Sequence, residues 1–283
     1  MVRLVGAEES RGFPPGAFSD VDKSGQASQH AAYLDRAAEA FVDLRRSWLS
    51  VLRLEPGQVV LDAGSGMGEN TRALGEMVAP SGRAIGIDFS SELVARARER
   101  AGDASCVEYQ VGDVTELPFE SQMFDGAYCE RVFQHLSEPD AAMGELFRVL
   151  RGGGRLVTVD PDFTRTVVDA DDHELSDILT NAVWGSAANP TSGRQLRSRM
   201  VRAGFIDVVV HPTLRVTTDA EQIRALSPRP VAVRLDKLVA SGVITRERAD
   251  AYLVDQGARE AEGRWLSATP LYCVSGVKPR VDS

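Results

Sequence analysis

The chain has little with which to cross-link itself, grip a nucleic acid or enter a membrane. Its three cysteines, Cys106, Cys129 and Cys273, are odd in number and widely spaced. That argues against a disulfide framework or a cysteine metal cage and for buried thiols in a reducing compartment. Lys and Arg number 32 against 41 Asp and Glu, a formal net charge of −9. The cationic excess that a phosphate backbone demands is missing, so nucleic acid is not the expected partner and methyl transfer to RNA is disfavoured. The run RARER, Arg96 to Arg100, carries Glu99 among its arginines and reads as the solvated face of a helix. No apolar run approaches the length of a bilayer span. The opening MVRLVGAEESRGFPPG lacks a signal peptide's apolar segment. A cytoplasmic protein is expected.

What is present is a βαβ rhythm. The 283 residues suit one large α/β unit with additions. After a Gly/Pro/Ser-rich opening, apolar residues from Ala31 to Leu52 recur at helical spacing, and EPG, Glu55 to Gly57, closes that helix. QVVLDAG, GRAIGID, CVEYQVGD, MFDGAYCE and GRLVTVD then read as successive strands. Between them lie MGENTRALGEMVA, SSELVARARERA (capped by Ser90 or Ser91) and EPDAAMGELFRVLRGGG, a helix with a glycine stop. Such a rhythm predicts a doubly wound parallel sheet with its ligand at the strands' carboxyl ends. Residues 161–192 are too long for a crossover loop and read as an insertion. GRQLRSRMVRAGF and IDVVVHP resume as helix and strand, residues 219–268 are mainly helical with Pro228 and Pro230 interrupting, and LYCVSGVKP is the last strand.

The stretch VLDAGSGMGENT places Gly64, Gly66 and Gly68 between a strand and a helix. A dinucleotide loop wants glycines in G-x-G-x-x-G order. Here Glu69 takes the third slot and Asp62 precedes the loop, carboxylates that repel a pyrophosphate but favour an ammonium and a sulfonium. A nicotinamide dehydrogenase is thereby disfavoured. Asp88 ends the second strand, where an acid can accept from a ribose diol, with Phe89 beside it to pack on a purine. Asp113 ends the third strand, where a carboxylate can accept from an exocyclic adenine amine, with Val114 lining the same pocket. Taken singly each acid reads as a cap or turn residue; three on consecutive strand tips behind one glycine loop point to a cationic nucleoside.

VVLDAGSGMGENT, AIGIDFS, VGDVTELPF, FDGAYCERVFQHL and ELFRVLRGGGRLVTVD together resemble the successive motifs of class I S-adenosylmethionine-dependent methyltransferases, nearest the small-molecule branch related to quinone and sterol methyltransferases. The resemblance covers about residues 56–160 strongly and the last strands weakly. It implies an α/β, Rossmann-like, doubly wound seven-stranded sheet with an antiparallel last strand, a helical cap within residues 1–54, and a donor-binding domain over 55–283 with substrate-side insertions at about 161–192 and 217–268. It further implies S-adenosylmethionine as donor and S-adenosylhomocysteine as product. Carried over by position, Asp62, Gly64 and Gly66 border the methionine moiety, Asp88 the ribose, and Phe89, Gly112, Asp113 and Val114 the adenine. Cys129, Glu130 and Arg131 approach the methionine end through backbone, and Tyr33 closes over the donor. RGGG stands where the family commonly has R-P-G-G.

Methyl transfer from a sulfonium requires neither metal nor covalent intermediate, but a hydroxyl or acidic carbon gains from a general base. His135, soon after the fourth strand, is the candidate; an ordinary first-turn or surface histidine is the competing reading. His30 and Tyr33 come next, with helix packing as their plainer role, while His173 and His211 read as solvated and structural. Asp160 and Asp162 can pair with an amine or Mg²⁺, though a turn around Pro161 accounts for them more simply. Arg131 can clamp a substrate carboxylate or tie down its own loop. Phe163, Trp184 and Trp265 line a pocket or fill core. The expected activity is methyl transfer to an oxygen, carbon or nitrogen of a small organic molecule, by a protein that a homodimer would also suit. A donor-binding scaffold or cyclase-like protein of the same fold is the alternative.

Overall fold

The computed structural model describes residues 34–36, 39, 41–102, 106–184, 188–226 and 230–280. Tyr33, His30 and the side chain of Trp184 lie outside the described residues. Helix α1 (Val42–Ser50) leads into five strands, β1 (Val59–Ala63), β2 (Arg83–Asp88), β3 (Val107–Val111), β4 (Phe124–Glu130) and β5 (Leu150–Pro161). Helices α2 (Glu69–Val78), α3 (Ser91–Ala101) and α4 (Pro139–Val149) lie between them. Then come β6 (Val167–Val168), α5 (His173–Trp184), α6 (Ser192–Ala203), β7 (Ile206–Thr217), α7 (Ala220–Leu226), α8 (Val231–Ala240), α9 (Arg246–Ala261) and β8 (Ser267–Val277).

The sheet runs β3-β2-β1-β4-β5-β8, with β7 on the far side of β8. Strands β1 to β5 pair in parallel, and β8 runs antiparallel to both β5 and β7. This is the doubly wound architecture with an antiparallel last strand. The difference from seven strands is β6, whose two residues pair with Ala268 and Ser267 where β5 has already ended. Strand order reverses between β1 and β4, so the loops leaving those strands part and open a crevice at their carboxyl ends.

Alternation along the strands supplies a core to each face. Leu61 of β1 and Leu156 of β5 pack with Phe124, Met143, Leu146 and Met200. Their neighbours Val60 and Val157 pack on the opposite side with Trp48, Leu74, Val78 and Leu271. The helices after β5 and β7 build a third cluster from Leu175, Leu179, Leu235, Ile244 and Tyr252. Ser90 caps α3, its hydroxyl accepting from Leu93 N at 3.2 Å.

Two local expectations change. The glycines of RGGG do not stop α4, which ends at Val149; they form the entry to β5, where Gly153 has φ +87° and the pairing with β4 shifts register. α1 ends at Ser50 and not at EPG, because Arg53 already sits at φ +53°. Among the described residues no helix is long and apolar enough to cross a membrane, and no cluster of His, Cys, Asp and Glu could hold a metal ion.

Candidate active site

The crevice between β1 and β4 is a cleft of about 620 Å³. Its floor is the glycine loop. Gly64 and Gly66 take φ +80° and +53°, the left-handed region that side chains avoid. A Cβ on Gly64 would lie 2.2 Å from Val132 Cγ2; one on Gly66 would meet only Leu34, at 3.6 Å, and would protrude into the cleft. The loop is sewn to β2, since Gly64 N and Ser65 N both donate to Ile87 O, at 2.8 and 2.9 Å. Gly66 N donates to Asp88 Oδ2 at 2.8 Å, and the other oxygen of Asp88 accepts from Ser90 N at 3.0 Å.

Around this floor stand Asp88, Phe89, Gly112, Asp113, Val114, Glu130, Arg131 and His135, which the fold brings to one cleft from the ends of separate strands. Phe89 is 54% exposed for so large an apolar side chain. Asp113 folds back onto Thr115, accepting from its N at 2.8 Å and its hydroxyl at 2.7 Å. Glu130 lies at the end of β4, and Arg45 reaches it from α1 with Nε at 3.2 Å and Nη2 at 3.3 Å. Tyr128 OH and Asn70 Nδ2 donate to the same carboxylate at 2.9 and 3.3 Å. Arg131 follows at φ +60°, a conformation that costs a non-glycine residue energy and is held here by its N–H donating to Val159 O at 2.7 Å.

Two residues carried over by position do not line the cleft. The Cys129 side chain is buried in the core, where desolvation raises its thiol well above the usual range. Asp62 lies beneath the glycine loop, fully buried, with Thr71 Oγ1 donating to its Oδ2 at 2.6 Å and no hydrogen bond to Oδ1. Burial pushes its pKa up to about 7, reinforced by the charges of Glu130 and Asp88 and opposed by Thr71. The native state therefore binds a proton that an unfolded Asp62 releases near pH 3.8. Stability from this group is present below that pH and is lost as pH rises towards 7, by on the order of 4 kcal/mol. Asp62→Asn is thus expected to gain on wild type as urea unfolding is moved from pH 4.5 to 7.5. A constant gap between the two would refute the shift.

His135 ends a short 3₁₀ turn, Phe133–His135, with Nε2 2.7 Å from Gln134 Nε2. Burial, then the Arg131 charge, holds its pKa down at about 3, so the ring is neutral. The other candidates go elsewhere. His173 is exposed at the start of α5, and His211 Nε2 lies 3.3 Å from Ser275 Oγ within the sheet. Asp160 accepts from Ser192 Oγ at 2.7 Å, and Asp162 pairs with Arg194, so both carboxylates tie down α6.

A second cavity of about 370 Å³ adjoins the cleft, walled chiefly by Phe41, Phe163, Leu179, Tyr252, Trp265 and Leu271. It is built mostly by the segments after β5 and β7. Arg131 lines both spaces. Its guanidinium carbon lies 5.3 Å from the centre of the Phe41 ring, and that of Arg215 lies 5.0 Å from the same centre. Arg45 and Asn70 on the cleft and Phe41 and Arg215 on the chamber were not singled out from the sequence. A signal existed for some of them. Phe41 and Arg45 are one helical turn apart, and β7 carries its apolar Leu214 and Val216 outward while Arg215 points in.

Residues 61–158 match the family described as Methyltransferase domain. The chain is 40% identical over 195 residues to an uncharacterized 37.1 kDa protein of transposon TN4556 from Streptomyces fradiae, covering 67% of this chain and 56% of that protein. It is 31% identical over 162 residues to an arsenite methyltransferase of Halobacterium salinarum, covering 56% of this chain and 40% of that protein. It thus spans about half the length of these relatives. Among solved structures, phosphoethanolamine N-methyltransferase 2 of Haemonchus contortus, in complex with S-adenosyl-L-methionine, superposes with TM-score 0.59 at 16% identity, covering 93% of this chain and 60% of that one. Strand order, glycine loop and family match converge, and residues 61–158 are a methyltransferase domain of the class I S-adenosylmethionine-dependent family.

Proposed function

We propose that the protein transfers a methyl group from S-adenosylmethionine to a small organic molecule seated in the apolar chamber. The observation that carries this reading is the contact of two cavities at one residue, Arg131: an open cleft at the strand tips and a chamber built from the insertions.

The cleft fits the donor. Glu69, Asp88, Asp113, Glu130 and Glu138 line it against Arg45 and Arg131, an acidic balance suited to a ligand with an ammonium and a sulfonium. The glycine loop leaves room where any Cβ on Gly66 would intrude, and the unsatisfied Oδ1 of Asp62 lies beneath it as a spare acceptor. In this reading Asp88 holds the ribose, Phe89 and Asp113 flank the adenine with Gly112 and Val114, and Glu130 faces the methionine end. Bound there, S-adenosylmethionine supplies a methyl carbon already activated by its sulfonium.

The protein's own part is then to position and to dry. Fixing an acceptor against the cleft in a preset orientation is worth roughly 7–11 kcal/mol when the alignment is good. The aromatic walls of the chamber keep water from the junction. His135 takes a secondary part, because an imidazole with a pKa near 3 accepts protons weakly. His135→Ala is expected to lower kcat by less than about tenfold with no change in the pH profile. A loss of about 10²–10⁴-fold would instead make it the general base.

The test is incubation with methyl-labelled donor and a metabolite extract of the source cell, followed by a mass search for labelled products. Donor uptake without any labelled product would favour the scaffold or cyclase-like alternative.

A further inference from the structure

The insertion between β5 and α6 does more than wall the chamber. Its last residues, from Ala188 on, return to the cleft, where Ala188 forms part of the lining. Asn189 precedes Pro190, which biases it towards extended backbone and keeps it out of α6. Its N–H groups therefore bond outside the helix, and they converge on one turn. The backbone N of Asn189 donates to Gln134 O at 2.9 Å, and its side-chain amide donates to Phe133 O at 3.0 Å and to Leu136 O. Both N–H groups of that amide are thereby used. Phe133 and Gln134 are buried, so their carbonyls have little water to bond instead.

The cleft has two halves, because strand order reverses between β1 and β4. The glycine loop, Asp88, Phe89 and Gly112 to Thr115 come from the tips of β1, β2 and β3, and Glu130 to Glu138 from the tip of β4. The turn that Asn189 holds belongs to the β4 half, as does Arg131, where the chamber begins. Gln134, His135 and Leu136 of this turn line the cleft, and Gln134 brings a buried Oε1 that has no hydrogen bond. One 3₁₀ turn is weakly determined by its own bonds, so what fixes its carbonyls also fixes those side chains. The same segment grips the chamber, for Pro190 O accepts from Phe163 N at 2.9 Å. Asn189 and Pro190 thus tie a wall of one cavity to a wall of the other.

We infer that Asn189 is a positioning residue for methyl transfer: its N–H donors fix the turn after β4, and with it the end of the cleft that adjoins the chamber. Asn189 acts through that turn and needs no contact with either reactant. This rests on reading the cleft as the donor site, and it adds that the acceptor-side insertion completes the β4 half of that site. The nucleoside half is built without it.

Two ligands, titrated calorimetrically into the full chain, make the test. S-Adenosylhomocysteine has an amino-acid arm that 5′-methylthioadenosine lacks, and the proposed pose lays that arm along the β4 half. Asn189→Ala is expected to weaken S-adenosylhomocysteine about tenfold and methylthioadenosine less than about twofold, because the freed turn has to be ordered when the arm binds. Asn189→Asp keeps the shape but sets a carboxylate against two carbonyls, and is expected to weaken S-adenosylhomocysteine at least as much. Hydrogen exchange in both variants is expected to quicken over residues 131–138 and not over 60–72. Unchanged S-adenosylhomocysteine affinity overturns the inference. So does equal weakening of the two ligands, the result a general loosening of the fold would give. Asn189→Ser, whose hydroxyl reaches less far, carries the same expectation where Asn189→Ala fails to fold. The wild type separates this inference from the reading beneath it. Uptake of neither ligand would sink the donor site and the role of Asn189 together, whereas uptake of both with no change in the variants sinks that role alone. Uptake of S-adenosylhomocysteine without methylthioadenosine also overturns it, since the nucleoside half would then have no grip of its own.

Discussion

Gly64→Ala is expected to weaken S-adenosylhomocysteine binding at least a hundredfold, about 2.7 kcal/mol, in a chain that still folds. Two costs meet at this position. The backbone holds φ +80°, which a side chain adopts at about 1–2 kcal/mol. The added carbon would also stand 2.2 Å from Val132 Cγ2, so the loop or the segment after β4 has to move. Both are cleft walls, and the N–H groups of Gly64 and Ser65 make the bonds that key the loop to β2. Val132→Ala added to Gly64→Ala removes the nearest clash and is expected to restore about tenfold, leaving the dihedral cost. Calorimetric titration of both variants measures this. Wild-type affinity in the single variant would show that the loop does not shape the nucleoside site.

The second large effect lies at Glu130. Its side chain is 3% exposed and that of its partner Arg45 14%, so the pair is largely withdrawn from water. The carboxylate accepts from Arg45, Tyr128 and Asn70 together. Glu130→Ala takes the carboxylate away from this largely buried guanidinium and is expected to cost about 3–5 kcal/mol of stability in urea unfolding. Pairing it with Arg45→Leu removes the buried guanidinium as well, and the double variant is expected to be more stable than Glu130→Ala alone. If the two losses simply add, the pair does not interact energetically. Donor affinity is expected to fall in both, because Glu130 supplies part of the cleft's acidity whether or not Arg45 is present.

Most of the cleft was legible in the sequence because it is built from local signals. A strand that ends in an acid or a glycine turn places that residue on the rim whatever the rest of the chain does, which is why Asp88, Asp113 and the glycine loop converge. Asp62 shows the limit of that rule. It shares the face of Val60, which packs beneath α2, so the alternation that locates a strand also turns this carboxylate down towards Thr71. The RGGG segment shows another: glycines that can stop a helix can equally admit the bulged start of a strand, and the pairing of β4 with β5 decided it. The chamber was legible only in part, through Phe163 and Trp265, which the sequence offered as pocket or core. Phe41 and Arg215 join Arg131, Phe163 and Trp265 only through tertiary packing, and each of those two alone reads as ordinary core or surface.

The order of these parts along the chain has a consequence for how the protein can change. Apart from Ala188, the described residues that line the cleft all lie at or before Glu138, whereas most of the chamber comes from Pro161 onward. A recombination event near the end of β5 could therefore exchange the chemistry of the guest while leaving the nucleoside grip untouched. Of the described chamber walls, Phe41 and Arg131 alone precede that point, and they are where drift after such an exchange would concentrate.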